Sequence, residues 1–172
     1  MAGKSDSKQW MMDPASRPKL PVLIVEARYY EAIGEALIDG ALAELAAQGV
    51  SYERVEVPGA LEIPQVLAAA VTTGAMPSSA AKAKYSGAIL LGCVIRGETS
   101  HYDIVCNTAN HWCYDVAMRH GIPIGNAILT VDNEMQAMAR AKGGRAGKGA
   151  DAARACLRLI EVAAGFGAER KR

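Results

Sequence analysis

The sequence Gly92-Cys-Val-Ile-Arg-Gly-Glu-Thr-Ser-His-Tyr-Asp103 follows directly on an apolar run, Ala88–Leu91, and leads into a segment with helical periodicity. Polar groups therefore gather where a strand ends and a helix begins. In an open α/β sheet, this edge is the place where ligands bind. A helix N-terminus at that edge offers unpaired backbone N–H groups and a positive dipole end, which favour a phosphate or another anion.

Three side chains in this stretch carry the candidate chemistry. Thr99 and Ser100 can cap the helix or donate to an oxyanion. His101 is expected in the first turn, where the helix dipole disfavours imidazolium and leaves a neutral imidazole that exchanges protons near pH 7. Each residue taken singly fits an ordinary helix cap with a surface histidine, but their combination in one strand-to-helix turn favours a ligand site.

The composition limits the class of protein. A chain of 172 residues fits one domain, and its 19 Lys and Arg residues balance 18 Asp and Glu residues, for a net charge of +1. That balance argues against a nucleic acid or a membrane surface as partner. The sequence contains no apolar run of membrane-spanning length and no secretory signal. The cysteines lack CxxC spacing and the histidines lack metal-ligand spacing, so we expect a cytoplasmic protein without disulfides or a metal site.

Short apolar segments alternate with helical periods along the chain, which predicts βαβ units and an α/β fold with a parallel sheet covered on both faces. The predicted strands are 21–26, 51–57, 85–94 and 123–131, and the predicted helices are 32–48, 59–73, 102–120, 133–141 and 150–164. We divide the chain into a flexible N-terminal arm (1–19), one domain (20–167) and a charged C-terminal tail (168–172).

The other strand-to-helix turns also carry unusual residues. After the first strand come Tyr29 and Tyr30, which either stack on a planar ring or cap the core. After the second strand, Glu62 lies in a rigid Pro- and Gly-containing segment, where it either compensates a helix dipole or binds hydroxyl groups. Arg140 follows the fourth strand by one short helix and is either a surface residue or a phosphate-binding fork.

Three motifs resemble the family of 6,7-dimethyl-8-ribityllumazine synthases. They are the quoted segment 92–103, Val57-Pro-Gly-Ala-Leu-Glu-Ile-Pro64 and Ile128-Leu-Thr-Val-Asp-Asn-Glu-Met-Gln-Ala137. The step Lys148-Gly149-Ala150 into an alanine-rich helix also fits, and the resemblance covers roughly residues 20–165. It implies a flavodoxin-like three-layer sandwich with a four-stranded parallel sheet flanked by helices.

The resemblance implies an enzyme, a transferase of riboflavin biosynthesis that condenses 5-amino-6-(D-ribitylamino)uracil with 3,4-dihydroxy-2-butanone 4-phosphate. The product is 6,7-dimethyl-8-ribityllumazine, and the reaction uses no cofactor and no metal. The resemblance also implies a homopentamer or a higher assembly whose sites lie between subunits, with riboflavin synthase as a candidate partner. The alanine-rich helix 150–164 would suit packing between subunits.

Roles for individual residues follow from the same resemblance. His101 carries protons, Arg140 grips the phosphate, and Tyr29 stacks on the pyrimidine. The remaining substrate contacts are Ala60, Leu61 and Glu62 for the ribityl chain, Cys93, Val94 and Ile95 for the pyrimidine, Gly97, Glu98 and Thr99 for the phosphate, and in addition Asn126 and Lys148.

Three places depart from the family pattern. Asn126 replaces a large aromatic residue that closes the pocket of a neighbouring subunit, and Glu98 adds a negative charge to the phosphate loop. The connector 142–147 does not align, so Arg145 has no assigned role. Asn126 and Glu98 support the alternative that the protein is a catalytically weak paralogue that binds lumazine or flavin or forms a shell. An unrelated flavodoxin-like module for phosphosugars or signalling is a second alternative, and the acids, which do not cluster after the first strand, count against it.

Overall fold

The computed structural model describes residues 10–169. Across this range the chain forms four strands and five α-helices. The strands are β1 (Val22–Ala27), β2 (Tyr52–Val57), β3 (Ala88–Ile95) and β4 (Ile124–Val131). The helices are α1 (Glu31–Gln48), α2 (Ile63–Thr72), α3 (His101–His120), α4 (Glu134–Ala141) and α5 (Lys148–Glu169). Short 3-10 turns lie at Pro14–Ser16, Ala60–Glu62 and Gly144–Ala146.

All strand pairs in the sheet are parallel, and the order is β2-β1-β3-β4. The register aligns Val25 of β1 with Leu90 of β3, and Leu90 in turn with Asn126 of β4. The prediction of an α/β fold with a four-stranded parallel sheet is therefore confirmed, with the first strand in the interior of the sheet. Because parallel strands place their carboxyl ends at one edge, the turns after β1, β2 and β3 meet there.

Two layers of helices cover the sheet. On one face, Ile24 and Ile89 pack with residues of α1, α4 and α5, such as Leu37 and Leu157. On the other face, alternate strand residues pack with α2 and α3. Strands buried on both faces explain why the sequence of β3 is a continuous apolar run rather than an alternating one. This is the predicted three-layer sandwich.

Helix α1 shows how the sequence pattern defines an element. Ile33, Leu37 and Leu45 recur at helical spacing and are all buried in the same core cluster. The helix ends at Gly49, whose φ of 67° is a left-handed conformation that residues with a β-carbon rarely adopt. The predicted helix 32–48 therefore begins one residue earlier, at Glu31, and ends where it was predicted.

The start of α5 packs very closely on its neighbours. A β-carbon on Gly149 would overlap with the carbonyl of Leu37 in α1, and one on Gly125 would overlap with the carbonyl of Ala152. Ala150, Ala152 and Ala153 are buried within the same chain. The alanine-rich side of this helix was predicted to suit contacts between subunits, and for these alanines that argument is wrong because the chain's own core takes them up.

The structure extends beyond the predicted domain limits. Residues 1–9 of the predicted arm lie outside the described residues, but Met12 is only 2% exposed, and its N–H donates to Gln48 Oε1 at 2.9 Å. This part of the arm is packed because its apolar Met12 reaches the core, which the polar composition did not indicate. The predicted tail 168–172 is helical to Glu169, and 170–172 lie outside the described range. None of the helices in the described range is both long and apolar enough to cross a membrane.

Candidate active site

A cleft of about 320 Å³ opens where the carboxyl ends of β1, β2 and β3 meet the start of α3. Most of the site residues predicted from the sequence line this cleft. They are Tyr29, Ala60, Leu61, Glu62, Cys93, Val94, Ile95, Gly97, Thr99 and His101. The chain therefore brings together residues from three separate turns, as expected for the carboxyl edge of a parallel sheet.

His101 is the first residue of α3, and its exposed side chain faces the cleft. Its backbone N–H lies 3.4 Å from Thr99 Oγ1, while the N-cap Ser100 makes no side-chain hydrogen bond to the helix. Of the two predicted caps, only Thr99 makes a contact, and it is a long one. The first turn thus keeps its positive dipole end facing the cleft, where it can interact with an anion.

Arg96 links the loop between β3 and α3 to its neighbours. Its guanidinium lies 4.1 Å from the centre of the Tyr102 ring, and its Nε lies 3.2 Å from Asp132 Oδ1 in the turn after β4. A longer contact of 3.7 Å joins Nη1 to Asp103 Oδ1. The loop that carries Gly97 is therefore held between α3 and the β4–α4 turn. Arg96 was not among the predicted site residues, although it belongs to the quoted motif.

The two tyrosines after β1 have different roles. Both line the cleft, but Tyr29 is 74% exposed, whereas Tyr30 is half-buried and also packs against the core. Their rings meet edge to face, with centroids 5.0 Å apart and an interplanar angle of 70°. Burial, followed by the neighbouring Tyr29 and Cys93, raises the pKa of Tyr30. Tyr29 thus presents an exposed ring to the cleft for stacking, and Tyr30 contacts that ring.

Cys93 lies at the end of β3 and is buried. Burial, with a smaller contribution from Cys106, raises the pKa of the Cys93 thiol to about 11. The side chain is therefore a neutral thiol at physiological pH, and it is a poor nucleophile because the thiolate is the reactive form. This fits the expectation that the residue offers its backbone rather than its sulfur to a ligand.

The remaining predicted residues do not line this cleft. Arg140 lies in the last turn of α4, and its Nη1 donates to the carbonyl of Gln136 at 2.9 Å. Lys148 begins α5 and pairs with Asp151. Glu98 is exposed on the loop, and Asn126 lies on β4 facing α3. The single chain does not place Arg140, Lys148 or Asn126 in the cleft with His101, and Glu98 lies on the same loop as His101 without lining the cleft, so the predicted roles of these residues stay predictions.

Other residues of the cleft were not on the predicted list. They are Tyr30, Gly59, Tyr102 and Val105. Tyr102 and Val105 lie on the first turns of α3, so helical spacing from His101 is the signal that could have indicated Val105. Within residues 10–169, no three or more His, Cys, Asp or Glu side chains come together in a way that could hold a metal ion. Independence of metal stays a prediction.

Comparison with known proteins finds a family match over most of the chain. Residues 19–164 match the sequence model of the family described as 6,7-dimethyl-8-ribityllumazine synthase. A protein of Rhodopseudomonas palustris named 6,7-dimethyl-8-ribityllumazine synthase 1 is 47% identical over 141 residues, which cover 82% of this chain and 84% of the relative.

Two further relatives cover more of the chain. A Rhizobium meliloti protein, also named 6,7-dimethyl-8-ribityllumazine synthase 1, is 47% identical over 87% of this chain and 95% of its own length. A 6,7-dimethyl-8-ribityllumazine synthase of Bartonella tribocorum is 46% identical over 90% of this chain and 97% of its own length. Similarity of this degree over nearly the whole domain means that the chain belongs to the 6,7-dimethyl-8-ribityllumazine synthase family.

Proposed function

We propose that this protein is an enzyme of riboflavin biosynthesis that condenses 5-amino-6-(D-ribitylamino)uracil with 3,4-dihydroxy-2-butanone 4-phosphate. The products are 6,7-dimethyl-8-ribityllumazine, inorganic phosphate and water. The observation that carries the proposal is that, in a member of this family, His101, Gly97 and Thr99 of the loop before α3, and the exposed Tyr29 line one cleft. A proton carrier, an anion site and an aromatic surface are what the two substrates require.

Each part of the cleft has a task in this reaction. The steps are imine formation, phosphate elimination, ring closure and dehydration, and they need proton transfer and stabilisation of an anion. His101 would move protons, and the Gly97–Thr99 loop with the start of α3 would hold the phosphate. Tyr29 would stack on the pyrimidine, whose edge the backbone of Cys93–Ile95 would bind. Residues Ala60–Glu62 would border the ribityl chain.

We propose that a neighbouring subunit completes the site in a pentamer or a higher assembly. The cleft of one subunit is open to solvent, and Arg140, Lys148 and Asn126 lie outside it. Arginine binds phosphate through a planar fork and lysine binds it as a point charge, so both suit the substrate that carries phosphate. Their supply by an adjacent copy would explain why the site residues divide into two groups.

The proposed partners are the two small-molecule substrates, a ribitylaminopyrimidine and a four-carbon sugar phosphate, together with further copies of the chain. We also propose a cytoplasmic location, and riboflavin synthase as a partner because it would consume the product. The net charge of +1 gives no support for a nucleic acid or membrane partner.

A turnover assay tests the proposal directly. Purified protein mixed with both substrates, without added metal or nucleotide, should develop the absorbance and fluorescence of the lumazine well above a protein-free control. Omission of either substrate should abolish the signal. A catalytically weak lumazine- or flavin-binding or shell-forming paralogue, the alternative suggested by Glu98 and Asn126, would bind the pyrimidine but match the protein-free rate. Activity lost with a chelator and restored by zinc would contradict the metal-free part.

A further inference from the structure

A buried carboxylate lies at the centre of an ionic network that includes Lys148, one of the cations proposed to bind the phosphate of the substrate. The side chain of Glu44 on α1 is 0% exposed, yet no part of the proposed reaction uses it. Arg145 Nε donates to its Oε2 at 2.9 Å, and Arg154 Nη2 donates to the same oxygen at 2.8 Å. Glu44 therefore joins the connector between α4 and α5 to the first turns of α5.

The same network ends at a proposed substrate residue. Arg154 Nη1 donates to Asp151 Oδ1 at 3.0 Å, and the other oxygen of Asp151 accepts from Lys148 Nζ at 2.8 Å. Arg154 Nη2 also donates to the carbonyl of Arg145 at 2.9 Å, so the backbone of the connector is held as well as its side chain. A continuous chain of hydrogen bonds thus runs from the buried Glu44 to the exposed ammonium of Lys148.

The network has more positive than negative charge, and its exposed end is Lys148. Three cations, Arg145, Arg154 and Lys148, face two carboxylates, and the arginines are largely enclosed while Lys148 is 54% exposed. The ammonium has three N–H donors, of which Asp151 takes one. Lys148 therefore keeps a positive charge and free donors for an anion, in an orientation set by Asp151.

The inner end of the network is also anchored. Gln48 Nε2 donates to Glu44 Oε1 at 2.7 Å and to the carbonyl of Trp10 at 3.0 Å. Burying a carboxylate carries a desolvation penalty that can cancel the attraction of its partners, so such a network is weak evidence for stability. Its effect here is on geometry, because it fixes α1, the connector and the start of α5 relative to one another.

We propose that Glu44 is a positioning residue that acts through Arg154 and Asp151 to orient the Lys148 ammonium towards the phosphate of the substrate. Arg145 has a role on this account, since it locks the connector whose two ends carry Arg140 and Lys148. The inference rests on the proposed function, which supplies the phosphate-bearing substrate.

The main test compares Asp151→Asn, which alters a partly exposed side chain, with Glu44→Gln. Each variant should raise KM for the sugar phosphate about tenfold, the effect of about 1.4 kcal/mol in binding. Their kcat and their KM for the pyrimidine should stay within about twofold of wild type. Glu161→Gln is the matched control, because Glu161 is also a carboxylate on α5 that holds the N-terminal segment through Asp13, and its partners do not lead to Lys148.

A double-mutant cycle separates positioning from a general structural effect. If Asp151 acts through Lys148, Asp151→Asn should have no further effect on KM in a Lys148→Met background. Unchanged KM values, an equal rise for both substrates, or additive effects in the cycle would each overturn the proposal. If Glu44→Gln does not fold, Asp151→Asn and the cycle decide the question.

Binding of inorganic phosphate gives a readout that does not depend on turnover. Phosphate should raise the unfolding temperature of the wild type, since a ligand that binds the native state stabilises it, and it should raise that of Asp151→Asn less at equal concentration. A wild type that binds phosphate but forms no lumazine would contradict the proposed function and leave this inference standing. Equal protection of wild type and variant would overturn the inference alone.

Discussion

The side-chain amide of Asn126 on β4 donates to Asn110 Oδ1 on α3 across 2.7 Å. Asn126 Oδ1 in turn accepts the backbone N–H of Ile128 at 2.8 Å, and Asn110 Nδ2 donates to the carbonyl of Cys106. Both ends of the Asn126 amide are therefore engaged within the same chain. A position for which the resemblance implies a large aromatic residue takes part here in a polar contact between strand and helix.

Substitution of Asn126 by tryptophan tests whether this position faces a neighbour's pyrimidine. Asn126→Trp should leave KM for the pyrimidine unchanged or lower it, because a ring would add stacking that an amide lacks. It should also lower the free energy of unfolding by roughly 1–3 kcal/mol, since Asn110 and the Ile128 N–H lose a partner. Asn110→Ala is the control that breaks the same bond without adding a ring. A higher pyrimidine KM in Asn126→Trp than in Asn110→Ala would contradict the proposal that residue 126 borders the pyrimidine site of a neighbouring copy.

His101→Ala should lower turnover roughly ten- to a thousandfold, because a positioned proton carrier is lost while the binding groups remain. The fold should be unchanged, since the side chain is exposed at the start of α3. Steady-state kinetics and thermal unfolding measure the two effects. His120→Ala, at the other end of the same helix, serves as the control. A His101→Ala variant as fast as wild type would remove this residue from the mechanism.

Arg140→Ala should raise KM for the sugar phosphate far more than KM for the pyrimidine. Loss of a charge-assisted pair to phosphate in a partly dry site costs on the order of 2–4 kcal/mol. The matched control is Arg158→Ala, which removes an exposed arginine on α5 that pairs with Glu161. Titration of each substrate at saturation of the other gives both constants. An equal rise in KM for both substrates would show that Arg140 supports the structure of the site and does not contact the phosphate.

The protein should be at least a pentamer, and its isolated subunit should be inactive. Several large apolar side chains on α3 are exposed in the single chain, with Trp112, Tyr114 and Met118 at 50%, 47% and 81%. Tyr114 and Met118 lie one helical turn apart and line the same groove, and adjacent exposed apolar side chains are typical of an interaction surface rather than of a free monomer. Light scattering combined with the turnover assay across a dilution series checks the prediction. An active monomer at assay concentration would overturn both the assembly and the shared site.

Glu44 should make stability depend on pH in the acid range. Burial raises the pKa of its carboxyl, but the hydrogen bonds from Arg145, Arg154 and Gln48 outweigh burial and lower the pKa below its ordinary value. Because the folded pKa is below the unfolded one, the stabilisation is present above the unfolded pKa and is lost as pH falls through the folded pKa.

The free energy of unfolding should therefore decrease once the pH drops below about 4, where an unperturbed glutamate becomes protonated. Denaturant unfolding of wild type and Glu44→Gln, at a series of pH values between about 3 and 7, isolates the contribution of this group. The difference between the two proteins should shrink as pH falls. A difference that is constant over the whole range would show that the charge of Glu44 does not contribute.

The sequence by itself determined the order of elements and the location of the cleft. The helical spacing of apolar residues and a helix-ending residue such as Gly49 are local signals, so the limits of α1 were predicted to within a residue. The β3 motif up to His101 is also one continuous segment, and parallel strands bring its polar end to the same edge as Tyr29. These conclusions depend on contacts between near neighbours in the chain or on the general geometry of a parallel sheet.

Only the tertiary structure decided which distant groups meet. Glu44 lies on the helical stripe that predicted α1, yet its partners Arg145 and Arg154 are 101 and 110 residues away. A helical period cannot indicate such pairs, because the energy of a buried charge depends on what the fold places around it. For the same reason, the sequence alone could not place Asn126 against Asn110. Periodicity reports which side of an element is buried, and packing alone determines the groups that lie opposite.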